Sequence, residues 1–241
     1  MPHDSRRAHP GAPTLTTGTL PTILLRAVAV LLTVGAATPA SGQPHDEPPA
    51  RNAVAVSVGV GRHSPVGTHL GVTPDRNHVL LAVQYERRLI AVPHLAVLYT
   101  PELVPALWLS NNPTYVVMGS AGTPQIVAVT GRSSVYGFGA APIGFEAHAR
   151  VARRVELYGG SAVGTIWFAR AVPDPFARAF NFTFDLRAGM LWQLRGANAL
   201  RVGYMFHHLS NANTAPSNPG VDGAIGVLGL QHAFGTGRPG S

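Results

Sequence analysis

The sequence predicts an all-β fold: an eight-stranded antiparallel up-and-down transmembrane β-barrel. Three observations predict it. From residue 53 onward the dominant side-chain period is two, the period of a strand. The connections between the alternating segments are long and short in turn, as in barrels with short periplasmic turns and longer outer loops. Only 12% of residues are charged and 46% are hydrophobic, against roughly 25% charged in an ordinary soluble domain. Past the N-terminal region no stretch approaches 18 consecutive apolar residues, so a membrane crossing must be a closed barrel, which satisfies its own backbone hydrogen bonds.

The first 42 residues read as a secretory signal peptide. Arg6 and Arg7 lie in a polar opening, and Ile23 to Ala37 is apolar apart from Arg26 and Thr33. Its uninterrupted core is too short to span a bilayer, and small residues around Ala40, Ser41 and Gly42 suit a cleavage site. Residues 43–52 form a polar, Pro-rich lead-in, residues 53–234 the barrel and residues 235–241 a C-terminal tail.

Segment one, Ala53 to Arg62, sets Val54, Val56, Val58 and Val60 on one face against Ala55, Ser57, Gly59 and Gly61. Segment two runs from His78 to about Leu89. Segment three, His94 to about Leu109, is broken by Pro101 and Pro105. Segments four and five are Tyr136–Ala149 and Val155–Ala169. Segment six, Phe180–Leu194, alternates most clearly: Phe180, Phe182, Phe184, Leu186, Met190, Trp192 and Leu194 oppose Asn181, Thr183, Asp185, Arg187 and Gln193. Segments seven and eight are Ala199–Ser210 and Asp222–Phe234. Long connections are expected at 63–77, 110–135, 170–179 and 211–221, with 110–135 the longest and least ordered. A soluble lipocalin-like barrel shows the same period with the apolar face turned inward; the alternation of loop lengths favours the membrane.

The absence of cysteine excludes disulfides, thiolate metal sites and a cysteine nucleophile. The net charge of +7 comes from scattered arginines without interleaved aromatics, so no nucleic-acid footprint is expected. No His-Glu-x-x-His spacing and no phosphate-binding glycine loop before a helix are found, so neither metal nor cofactor is expected. Glu86, Glu102, Glu146, Asp185 and Arg187 are expected as interior charge pairs, since a charge facing lipid costs roughly 2–4 kcal/mol at the midplane.

The chemistry concentrates at the end of segment seven. Leu200, Val202, Tyr204, Phe206, His208 and Ser210 share one face, so a His and a Ser two residues apart follow an apolar stripe. His207 faces the other way. Asp222 opens segment eight and returns beside the same site if segments seven and eight form a hairpin. A serine needs a base to take its proton, and the base needs an acid to fix its tautomer and stabilise its cation. Ser210, His208 and Asp222 supply those parts as catalytic candidates. On spacing alone His-x-Ser is a weak signal that also occurs by chance, and a polar rim at a strand end is the plainer reading.

The stretch His208-Leu209-Ser210-Asn211-Ala212, followed by Pro216, Asn218, Gly220 and Asp222, resembles the lipid A 3-O-deacylase family of acyloxyacyl hydrolase-like barrel esterases. Their hallmark is a His-x-Ser-Asn motif near the outer end of the penultimate strand, with an acid twelve residues after the Ser. The family's acid is usually Glu; here it is Asp222, one methylene shorter, and an accommodating backbone shift is implied. The resemblance implies an outer-membrane serine esterase without cofactor or metal, cleaving an ester-linked acyl chain of lipid A, the lipid anchor of lipopolysaccharide, or of a related acylated lipid. Asn211 is the first candidate for an oxyanion donor, by side chain or backbone N–H; Asn218 and the Gly220 backbone come next. If the apolar face points outward, His208 and Ser210 lie on the barrel wall near the outer leaflet, where an acylated lipid presents its ester laterally. The competing reading is a non-catalytic outer-membrane barrel: structural, adhesin or narrow pore.

Overall fold

The computed structural model describes residues 50–64, 70–119 and 125–235. The expected signal peptide, nearly all of the lead-in and most of the C-terminal tail lie outside these residues. Nine β-elements account for the fold: β1 (Asn52–Gly61), β2 (Asn77–Val92), β3 (Leu95–Tyr99), β4 (Glu102–Met118), β5 (Gln125–Ala152), β6 (Val155–Val172), β7 (Arg178–Gln193), β8 (Asn198–Ser210) and β9 (Val221–Phe234). β3 and β4 are halves of one barrel strand. Both pair with β2 on one side and β5 on the other. They part at Thr100-Pro101 because proline brings no N–H to the ladder, and the β4–β5 register shifts again between Val104 and Leu107, around Pro105. The ring therefore has eight strands, each antiparallel to its neighbours, and β1 closes it by pairing with both β2 and β9. Within the ring, among the described residues, closure gives every strand a neighbour on both sides.

The alternation resolves with its apolar side outward. Along β7, Phe182, Leu186 and Trp192 are exposed, while Asn181, Thr183 and Asp185 are buried. Leu103, Phe138, Ile143, Trp167, Val202 and Leu228 on other strands are also 40–60% exposed. A soluble barrel would bury this belt, and a bilayer covers it.

The lumen is filled. Midway along it, Arg187 donates to both Glu102 oxygens at 2.7 and 2.8 Å and to Asp185 at 2.8 Å. Asp185 in turn lies 2.5 Å from His207 Nδ1. Arg201 donates to Glu86 at 2.9 Å and Glu146 at 2.5 Å and stacks 3.8 Å over the Tyr158 ring, a favourable cation–π placement. The expected interior pairing of Glu86, Glu102, Glu146, Asp185 and Arg187 is present. Toward the long-loop end an apolar plug follows, including Leu107, Leu109, Ile166, Phe168, Leu209, Val221 and Ile225. The cavity left beside the ion pairs is about 20 Å³, room for roughly one water.

One expectation is overturned. Residues 110–135 are not chiefly a loop. β4 and β5 continue as a paired ribbon from Asn112↔Ser133 to Met118↔Gln125. Tyr115, Val116, Val117, Ile126, Val127, Val129 and Thr130 are strand-favouring residues. The ribbon is largely exposed on both faces, so it carries no in–out alternation by which a sequence reveals a half-buried strand. Other boundaries move by a few residues; the turn expected at Ile90–Pro93 tightens to Pro93-His94 between β2 and β3.

Candidate functional site

β8 carries its even-numbered side chains outward and its odd-numbered ones inward. Val202 and Tyr204 are exposed, whereas Arg201, Met205, His207 and Leu209 are buried. His208 and Ser210 fall on the outward side, at the long-loop end of the wall. Behind them Leu209, Val221 and Ile225 lock the inward faces of β8 and β9 into the apolar plug. The site therefore stands on two strands whose register packing fixes from inside.

In the β8–β9 ladder His208 is directly opposite Asp222. Opposed residues project to the same face, and His208 Nδ1 lies 2.6 Å from Asp222 Oδ1. A carboxylate only accepts, so the proton resides on Nδ1 and the Nε2 lone pair is left for another partner. The His208 side chain is 14% exposed and Asp222 is fully buried. Asp222 is buried because the chain between β1 and β2 crosses over it. Gly71 N–H donates to Asp222 Oδ2 at 3.0 Å.

Ser210 ends β8. Its hydroxyl donates to Asn218 Oδ1 at 3.1 Å and accepts from the Ala212 N–H at 3.1 Å. Among the described residues no hydrogen bond joins Ser210 to His208. They are same-face neighbours on one strand.

The remaining candidates sit in the β8–β9 connection. A tight turn at 211–214 is closed by Thr214 N–H donating to Asn211 O at 3.1 Å. Its two central residues, Ala212 and Asn213, both have positive φ, 53° and 57°, the geometry of a type I′ turn. Asn211 points inward and is buried. Its Nδ2 donates to Ser217 O at 2.7 Å and its N–H to Asn218 Oδ1 at 3.0 Å. The Asn211 backbone N–H and one hydrogen of its Nδ2 are thus taken up within the loop, and it is the Asn218 Oδ1 that lies against Ser210. Gly220 has φ +65°, and a Cβ there would meet Leu70 O at 2.9 Å and His208 Cε1 at 3.1 Å. Only glycine allows the imidazole and the β1–β2 connection to approach so closely.

Residues 112–231 match the family model described as "Lipid A 3-O-deacylase (PagL)". The chain belongs to this family. The match runs from the outer part of β4 through β9 and contains His208, Ser210, Asn211, Asn218, Gly220 and Asp222. The crystal structure of the outer membrane enzyme PagL superposes with a TM-score of 0.51 at 14% identity, covering 75% of this chain and 99% of that one. Crystal structures of Neisserial surface protein A (TM-score 0.47, 11% identity, 76% and 97% coverage) and of the attachment invasion locus protein Ail of Yersinia pestis (0.42, 13%, 78% and 100%) are also similar. No curated protein matches the sequence. Family and fold place the chain among outer-membrane barrels with a lipid A deacylase-like role.

Sequence reasoning missed the Leu70–Thr73 segment. Gly71 lies 151 residues from Asp222, and no local pattern around it signals a contact with the acid.

Proposed function

We propose that this protein is an outer-membrane serine esterase that hydrolyses an ester-linked acyl chain of lipid A or a related acylated lipid. The observation that carries the reading is the 2.6 Å His208–Asp222 contact on the lipid-facing wall, with Ser210 the next residue on the same face of β8. The family match supports the substrate class.

In this reading Ser210 Oγ attacks the acyl carbonyl carbon while His208 Nε2 takes the hydroxyl proton. Asp222 holds the Nδ1–H tautomer and stabilises the imidazolium that forms. The tetrahedral intermediate collapses, the sugar oxygen leaves with the proton from His208, and the acyl group remains on Ser210. Water, deprotonated by the same imidazole, releases the fatty acid and restores the serine. Asn218 accepts from Ser210 through Oδ1 and donates through Nδ2 to Asn213 Oδ1 at 3.1 Å, so to answer charge on the oxyanion it would turn its Nδ2 toward Ser210. An outward site suits the substrate: the acyl chains remain in the bilayer while the ester slides against the wall. A lumen-facing site would have to accommodate them beside Arg187 and Arg201, where only about 20 Å³ is open. The same filling argues against a pore.

Mass spectrometry of purified lipid A after incubation with the detergent-solubilised protein tests the proposal. Loss of one acyl mass with wild type and no loss with Ser210→Ala is expected; an unchanged lipid with wild type overturns it.

A further inference from the structure

Asp222 presents a physical problem that its neighbours solve. Even-numbered side chains of β9 point outward, as the exposed Leu228 and Phe234 do, yet Asp222 is 0% exposed. A carboxylate facing hydrocarbon is expensive, and one facing water is free to leave its partner. The cover is the end of the β1–β2 connection. Val72 N–H donates to Pro219 O at 2.8 Å and Thr73 N–H to Gly220 O at 3.3 Å, so Leu70–Thr73 lies as a strap along the start of β9. Gly71 N–H meets Asp222 Oδ2 at 3.0 Å while Oδ1 faces His208. A Cβ on Gly71 would lie 2.8 Å from Asp222 Cγ and Oδ1. Gly71 and Gly220 also face each other, a Gly220 Cβ falling 3.0 Å from Gly71 Cα.

We infer that Leu70–Thr73 is a positioning strap for the acid of the site, with the Gly71 N–H as the anchor that aims Asp222 at His208. The inference rests on the esterase reading. The two carboxylate oxygens have divided tasks: one is fixed by a backbone donor, the other orients the base. A short acid held at both oxygens retains a single rotamer, and a loop excludes both lipid and water from it. The strap's residues lie before the 112–231 family match, so the anchor is supplied by a part of the chain outside the matched region.

The test uses the full protein in detergent micelles containing lipid A, with Gly71→Ala, Asp222→Asn and the double variant. Heat-modifiable gel mobility reports the barrel. The expected result is a fall in kcat of about tenfold or more for Gly71→Ala with KM little changed, and no further fall when Gly71→Ala is added to Asp222→Asn, because the two act through one carboxylate. Proton NMR supplies a readout independent of turnover: the low-field Nδ1 proton of His208, identified by its loss in His208→Ala, should shift or exchange faster in Gly71→Ala. An unchanged resonance overturns the strap. So does a fold-loss from Gly71→Ala that is the same with Asp222 present as with Asp222→Asn in place. If Gly71→Ala shifts the resonance while the wild-type protein releases no fatty acid, the strap contact is upheld and the esterase reading is overturned instead.

Discussion

His208 and Asp222 are cross-strand partners in the β8–β9 ladder, and their side chains meet at 2.6 Å without any irregularity of register. In the esterase reading, this relation is what would let Asp act where the resembled family usually carries Glu. An acid directly opposite the base needs only the distance between paired side chains, which a single methylene covers. The strap over Asp222 removes the space a longer side chain would use.

The first prediction concerns nucleophile and base. Ser210→Ala should lower the rate of fatty-acid release from lipid A micelles by at least about a thousandfold, and His208→Ala by about as much, since they act as a unit. Asp222→Asn should be gentler by one to two orders of magnitude. Ser210 is half-buried at a strand end and its loss opens no core cavity, so heat-modifiable mobility should be unchanged. Full activity of Ser210→Ala in a folded barrel would end the serine mechanism.

Asp222→Glu separates two accounts of the shorter acid. Asp222 is fully buried, contacts His208 at 2.6 Å and has Gly71 N–H at 3.0 Å. An extra methylene has no room without displacing the strap or the imidazole, so activity should fall roughly ten- to a hundredfold. A rise in activity would show instead that the acid of the native protein is too short.

Arg201 sits between Glu86 and Glu146 in the lumen, its side chain 3% exposed. Arg201→Met removes the cation and leaves two carboxylates facing each other. The barrel should lose about 3–5 kcal/mol, read as a lower urea midpoint for loss of the folded gel band. A midpoint equal to wild type would mean that the pairing contributes nothing to stability.

Leu186 is 49% exposed near the middle of β7. If this wall contacts acyl chains, Leu186→Arg should cost about 2–4 kcal/mol in bilayers. On a water-facing wall the same change is nearly neutral. Refolding yield into phospholipid vesicles, compared with Leu186→Ala, distinguishes the two.

The sequence by itself determined the strand count, the strand order around an up-and-down ring, which residues share a side of each strand and the juxtaposition of His208 with Ser210. All of these follow from the period of two and from turn residues, which are local. The outer β4–β5 ribbon escaped because both its faces are exposed, and a ladder held by backbone hydrogen bonds and β-branched residues imposes no hydrophobic pattern. The alternation of loop lengths favoured a membrane barrel with its apolar side outward, but the period itself leaves that choice open and the tertiary structure decided it. Phe182 and Leu186 alternate with Asn181 and Asp185 identically in a soluble and in a membrane barrel, and it is the ion-paired filling of the lumen by Arg187, Glu102 and Arg201 that turns the apolar side outward. It also decided what surrounds the acid: Gly71 and Asp222 meet across 151 positions of sequence, because closing the ring brings the β1–β2 connection beside the start of β9, and ring closure is a property of the whole chain.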